Sequence, residues 1–170
     1  MSILHIKKLG DPVLKKKGKP VKEITPEIKQ LACDMLETMY AAPGVGLAAC
    51  QVGVPVRIVV IDVKPEGMRA PMVLINPRIV AKSGKTLEEE GCLSLPGINA
   101  KVKRFSDVTV EAVNEKGFPV SVTGKKGILS RALQHELEHL EGKVFIDNLS
   151  WFKKQKIMSE IRKKRKLEGW

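Results

Sequence analysis

Gln134–Gly142 reads Q-H-E-L-E-H-L-E-G and contains H-E-x-x-H in His135, Glu136 and His139. An α-helix turns about 100° per residue, so with His135 at zero His139 falls near about 40° and Glu136 near about 100°. The two imidazoles then lie one turn apart on a single arc. That suits two nitrogen ligands on one divalent metal, with a carboxylate beside the metal's open position as general base. On the same wheel Leu129, Leu133, Leu137 and Leu140 occupy roughly 120–200°, and Ser130, Arg131, Gln134, Glu138 and Glu141 roughly 220–320°. The helix is therefore expected to have a packed side, a solvated side and a side that carries chemistry. The competing reading is a surface helix bearing the pattern by coincidence.

Two histidines do not complete such a site, because catalytic metals usually take three protein ligands and keep one position for water. One candidate is Glu160, 21 residues after His139 (160 − 139), a separation of the sort seen in thermolysin-type zinc peptidases. It falls in a lysine-rich terminal helix whose simplest state is solvent exposure. The other is Cys92, within Glu88–Gly97, E-E-E-G-C-L-S-L-P-G, read as a Gly/Pro-bounded loop entering a sheet. Against a role for Cys92 stands the ordinary buried free cysteine. Chemistry favours the thiolate, a soft anionic ligand suited to zinc or ferrous iron.

The elements that must position these groups follow from the rest of the chain. Thr25-Pro26-Glu27 is a helix start, with a hydroxyl at N-cap, proline at the first helical position and an acid in the first turn. Ile28, Leu31, Ala32, Met35, Leu36 and Met39 repeat at helical spacing to about Tyr40, with Cys33 among them as packing. Pro43 ends that helix, and Gly44–Gly53, G-V-G-L-A-A-C-Q-V-G, follows. Small residues this dense allow close approach of backbone to a ligand or to another backbone. A phosphate loop is a poor reading, since no Lys-Ser/Thr follows. Gln51 is the one side chain there able to donate a directional hydrogen bond, and Cys50 is given no role.

Arg57–Val63 is β-branched and reads as a buried strand. Met72–Ile75 and Arg78–Ala81 flank Asn76-Pro77 as two short strands or one broken by the proline. Lys101–Val113 and Phe118–Val122 alternate about a turn at Asn114–Gly117, so this block is antiparallel. Leu4–Lys22 is an irregular arm with one short turn at most, in which His5 is structural or superficial. Trp151–Lys166 is a basic helix with Phe152, Ile157, Met158 and Ile161 on its apolar side. The expected class is α+β: antiparallel β-sheets around a central H-E-x-x-H helix, with an N-terminal and a C-terminal helix, in one domain over residues 1–170.

Composition narrows the function classes. The 170 residues are 43 % hydrophobic and 29 % charged, ordinary for one globular core. No apolar run approaches a membrane span, and Met1–Gly10 lacks the apolar core of a signal peptide, so the cytoplasm is expected. Three cysteines, an odd number without a C-x-x-C pair, argue against a disulfide framework. A net charge of +11 predicts attraction to a polyanion. The 4 % aromatic content gives no base-stacking platform, so sequence-specific nucleic-acid binding is not expected. The basic helix Trp151–Lys166 is either a solvated face or a contact for the ribosome.

Three segments together, G-V-G-L-A-A-C-Q, E-G-C-L-S and Q-H-E-L-E-H, resemble the three motifs of peptide deformylases in order and in separation. The likeness runs from Gly10-Asp11-Pro12 to the terminal helix, and resembles the group of that family whose C-terminus is helical. It implies Cys92, His135 and His139 as metal ligands, Glu136 as the acid/base, and Gln51 with the Leu93 backbone N–H as holders of the substrate oxygen. The implied reaction removes formate from the N-terminal formylmethionine of new polypeptides. The implied metal is ferrous iron, with zinc, nickel or cobalt able to substitute. Substrate is expected to lie extended along Gly44, Val45 and Gly46 as an added strand, with Val45, Leu93, Ala132 and His135 around its methionine. One departure stands out: the family commonly has aspartate at the position of Glu138, paired with an arginine that corresponds here to Arg104. Two other classes remain, a metallopeptidase using Glu160 and a non-catalytic ribosome or nucleic-acid binder with an idle H-E-x-x-H.

Overall fold

The computed structural model describes residues 2–169. Asp11 accepts a hydrogen bond from the Val13 N–H and caps a short 3-10 turn, Pro12–Lys15, which buries Val13 and Leu14. Helix α1, Pro26–Ala41, begins at the expected cap, with the Thr25 hydroxyl accepting from the Ile28 N–H at 3.4 Å. Strand β1, Gly46–Ala48, leads into a 3-10 turn at Ala49–Val52 and then β2, Ile58–Ile61. Next come β3, Met72–Ser83; β4, Thr86–Cys92; β5, Leu95–Arg104; β6, Asp107–Val113; and β7, Pro119–Lys125. Helix α2, Ile128–Leu140, carries His135 and His139, and α3, Trp151–Glu168, is the last element described.

One antiparallel sheet has the order β1-β2-β3-β6-β7, and β4-β5 form a separate hairpin. Strand β2 is covered on both faces, which is why its sequence is uniformly apolar rather than alternating. Ile58 and Val60 pack with Met35 and Met39 of α1, whereas Val59 and Ile61 pack with Leu133, Leu137 and Leu140 of α2. A third apolar cluster joins Leu95, Ile98 and Val102 of β5 to Val144, Phe145 and Ile146, and to Ile161 of α3. Thus α2 lies between the main sheet and the β4-β5 hairpin, with its histidine face turned to the gap. No helix among the described residues is long and apolar enough to cross a membrane.

Three sequence expectations need correction, and a fourth is resolved. Glu88–Gly97, read as a loop, contains the end of β4 and the start of β5; its acidic run conceals the strand, because Glu88, Glu89 and Glu90 pair across the hairpin with Val102, Lys101 and Ala100. The run Lys101–Val113 is two strands in different sheets, divided at Phe105-Ser106. Of the two readings of Met72–Ser83, the single strand interrupted at Asn76-Pro77 is the one seen, with register shifts after Ile75 and after Ile79; Asn76 adopts φ 52° there and its amide bonds both the N–H and the C=O of Val21 at 2.8 Å. On the side of α2 expected in solvent Glu141 is exposed, but Ser130 and Gln134 are docked instead. Ser130 and Gln134 are buried because Gln134 Nε2 donates to the Phe105 carbonyl at 2.9 Å, its Oε1 accepts from the Phe105 N–H at 2.9 Å, and Ser130 Oγ donates to the same carbonyl. On α3, Ile161 is buried as its spacing implied, but Phe152 is 80 % exposed.

The start of α2 presses on β7 at Gly124, where a Cβ would stand 2.5 Å from the Ser130 backbone nitrogen. Gly124→Ala must therefore move backbone, and we expect a loss of about 1–3 kcal/mol by urea unfolding, as overpacked cores show. An unchanged midpoint would mean that α2 docks less tightly than its contacts indicate.

Candidate metal centre

Helix α2 sets His135 and His139 one turn apart, with ring centroids 5.1 Å apart and nearly edge-on. Cys92 arrives from the end of β4, where a register shift between Gly91 and Cys92 turns the strand into the hairpin. Its Sγ lies 3.3 Å from His139 Nε2. Ligand atoms of Cys92, His135 and His139 all fall within 4.8 Å of one another. Two imidazole nitrogens and a thiol converging in this way can hold one zinc or ferrous ion and leave a coordination position free. Glu160, by contrast, is exposed on α3 and is not part of this group, so the peptidase reading lacks its third ligand.

His135 is oriented by a residue that sequence reasoning missed. Its Nδ1 faces Glu90 Oε2 at 3.0 Å, which turns Nε2 towards the cluster. Glu90 in turn receives two bonds from Arg104, Nε to Oε1 at 2.7 Å and Nη2 to Oε2 at 2.8 Å. Arg104 Nη1 also donates to Glu138 Oε1 at 2.5 Å, so Glu138 does meet the arginine that the family likeness pointed to. Both oxygens of Glu138 accept from Asn148 Nδ2 at 2.9 Å as well. The run of three glutamates hid Glu90. The usable signal was its place two residues before Cys92 on one strand, together with the rule that a metal-binding histidine donates its far nitrogen to a carboxylate or carbonyl.

Gln51 is fixed with its donor towards the same space. Its Oε1 accepts from the Ala48 N–H at 2.8 Å, and Nε2 reaches Ser94 Oγ at 3.2 Å and Cys92 Sγ at 3.5 Å. A cavity of about 500 Å³ opens on these groups. Gly44, Val45, Gly46, Gln51, Cys92, Leu93, Ala132, His135 and Glu136 all line it, and the structure adds Lys8, Ile128 and Arg131, which lay outside the sequence expectations. Gly46 is required by contact: a Cβ there would be 2.5 Å from Glu136 Oε1.

Burial sets the charges. Glu136 is pushed up to about 7 by loss of solvent, poised to take and release a proton near neutrality. For Glu90 burial acts in the same upward direction but is outweighed by hydrogen bonds from Arg104 and His135, which bring it to about 2. His135 moves well above its usual range against the cost of burial, through Cys92 and Glu90, whereas burial and the neighbouring His135 take His139 well below it. Cys50 is held as a neutral thiol, raised to about 12 chiefly by burial, and its Sγ donates to the His139 carbonyl.

A thiol and two helical imidazoles converging at a cavity beside a buried carboxylate fit the class of metal-dependent hydrolases. Residues 3–155 match the family model described as polypeptide deformylase. The chain is 48 % identical to a peptide deformylase of Nitrosococcus oceani, over 99 % of this chain and 100 % of that one. It is 54 % identical to one from Desulfitobacterium hafniense over 86 % and 95 %. A crystal structure of a peptide deformylase from Legionella pneumophila superposes with a TM-score of 0.92 at 41 % identity, covering 99 % of this chain and 98 % of that one. The chain belongs to the polypeptide deformylase family.

Replacing Glu90 isolates its effect on the histidine. Glu90→Gln is expected to weaken metal binding roughly 10–100-fold, measured by competition with a chelator, as removal of such partners does elsewhere. The metal-free wild type should also carry a stability increment that is complete above about pH 4.5 and fades as pH falls towards 2, because the folded state holds this carboxyl below its free value. The variant should lack that slope; equal slopes in both would assign acid sensitivity to other groups.

Proposed function

We propose that Cys92, His135 and His139 hold a single ferrous ion, with zinc, nickel or cobalt able to replace it, and that this centre removes the formyl group from N-formylmethionine at the start of nascent peptides. The observation that carries the reading is the convergence of Cys92 on the histidine pair, beside buried Glu136 and facing a cavity. Deformylation of nascent polypeptides is the reaction of the family, and it depends on a metal.

When bound, the metal supplies Lewis-acid polarisation and a water of lowered pKa. Glu136 accepts the proton of the attacking water as its oxygen bonds to the formyl carbon, and passes that proton to the amine nitrogen as the carbon–nitrogen bond breaks. Formate and a free N-terminus result. The Gln51 amide, already aimed by its bond to Ala48, and the Leu93 N–H stabilise the negative charge that develops on the formyl oxygen. The peptide lies extended along Gly44, Val45 and Gly46 as an added strand, on the open side of β1, which is the edge strand of its sheet. Its methionine side chain points into the wall formed by Val45, Leu93, Ala132 and His135, all cavity residues. Arg104 and Glu138 act behind this wall, through Glu90.

Formate release from a formyl-Met peptide, assayed anaerobically with iron, tests the reading. Glu136→Ala should retain metal and lose about 10²–10⁴ in rate, and Gln51→Ala about 10²–10³. Cys92→Ala should lose the metal; a variant that kept it would point back to a peptidase-like ligand set.

Helix α3 presents Lys153, Lys156, Arg162, Lys163 and Lys166 on exposed positions, and we infer contact between this face and the ribosome. Ribosome affinity should then fall steeply between low and physiological salt. A flat salt response removes the contact.

A further inference from the structure

Two donors proposed for the formyl oxygen come from segments far apart in the chain, Gln51 after β1 and Leu93 in the β4-β5 hairpin. A third segment joins them. The Lys7 N–H donates to the Gln51 carbonyl at 2.7 Å, the Leu9 N–H to the Ser94 carbonyl at 2.9 Å, and between them Lys8 Nζ donates to the Leu93 carbonyl at 3.1 Å. This segment is itself anchored: Leu9 packs against the cluster of Leu95 and Phe145, and Asp11 caps the turn that buries Val13 and Leu14.

We propose that Lys8 is a positioning residue for deformylation, which fixes the Leu93 peptide so that its N–H points at the formyl oxygen. The inference rests on the reading of Leu93 and Gln51 as oxyanion donors. Peptide units are planar, so only the φ and ψ of Leu93 separate its N–H from its carbonyl. Cys92 holds the unit on the N-terminal side, and Lys8 holds the carbonyl on the other. An ammonium bond to a carbonyl is charge-assisted and stronger than a neutral one. Lys8 also lines the cavity, so its positive charge stands beside the space where negative charge develops.

Steady-state kinetics on a formyl-Met tripeptide with the metal-loaded full chain decide the matter. Displacing a catalytic donor by a fraction of an ångström costs about tenfold, since about 1 Å can cost a hundredfold. Lys8→Met should therefore lower kcat about tenfold while KM, metal content and Tm stay within error of wild type. Lys8→Arg, which keeps a charged donor, should recover most of that loss. The proposal is overturned if Lys8→Met leaves kcat unchanged, or if its loss accompanies a lowered Tm that Lys8→Arg does not restore. Should Lys8→Met fail to fold, Lys8→Gln is read by the same criteria. Gln51→Ala separates the two levels: if it has no effect on rate, the donor reading itself is wrong, whereas a slow Gln51→Ala beside a normal Lys8→Met condemns only the role of Lys8.

Discussion

The buried carboxylate of Glu90 is the constraint on which the rest of the site depends. It is bonded on one side by Arg104, which crosses the hairpin from β5, and on the other by His135 of α2. An isolated carboxylate at this depth would shed its charge; here each oxygen is bonded, and Arg104 stays charged through Glu90 and Glu138 together. Such a network adds little net stability, because desolvation consumes much of the Coulomb gain. Its consequence is geometric. The β4-β5 hairpin that delivers Cys92 is locked to the helix that delivers the histidines, so the thiol and the two imidazoles are held together.

That arrangement explains which features were readable in the chain. H-E-x-x-H is a local pattern, and helical period alone places its residues. Buried β2 and the start of α1 are equally local, the first through a β-branched run and the second through Thr25-Pro26. Strand β4 was illegible because it has no apolar alternation: Leu87 is exposed while Glu90 is buried. Its strand character comes from pairing with β5, a contact that propensity does not record. Ser130 and Gln134 were placed in solvent for the same reason. Their polarity matches the Phe105 backbone at the break between β5 and β6, where unpaired N–H and C=O groups need partners. A polar helix face can thus be a buried face when it meets a strand end.

Glu138 shows how a longer acid is used. The extra methylene does not push its carboxylate out of reach of Arg104. It lets the group span two neighbours, Arg104 on β5 and Asn148 in the turn before α3. The chain after α2 is thereby tied to the arginine that steadies Glu90. Phe145, in the same turn, stacks beside the His135 ring at 6.0 Å. The His135 ring therefore has a carboxylate at Nδ1 and an aromatic face at its side, both held by one connected set of residues.

Gly44–Gly46 is where backbone economy and the burial of Glu136 meet. The family likeness marks this stretch, but its composition has a physical cause visible in Glu136. That side chain is buried, one of its oxygens has no hydrogen-bond partner among the described residues, and its carboxylate occupies the space a Cβ on Gly46 would need. Any Cβ at Gly46 would drive the carboxylate away from the cavity or push β1 off β2, where Gly46 pairs with Ile61. Small residues here do two things with one property. They leave the outer edge of β1 uncrowded, and they bring that backbone close enough to exclude water from the Glu136 carboxylate. Exclusion of water is what raises Glu136 towards neutrality, so the tightness of β1 against α2 and the acid–base range of the site are one structural fact.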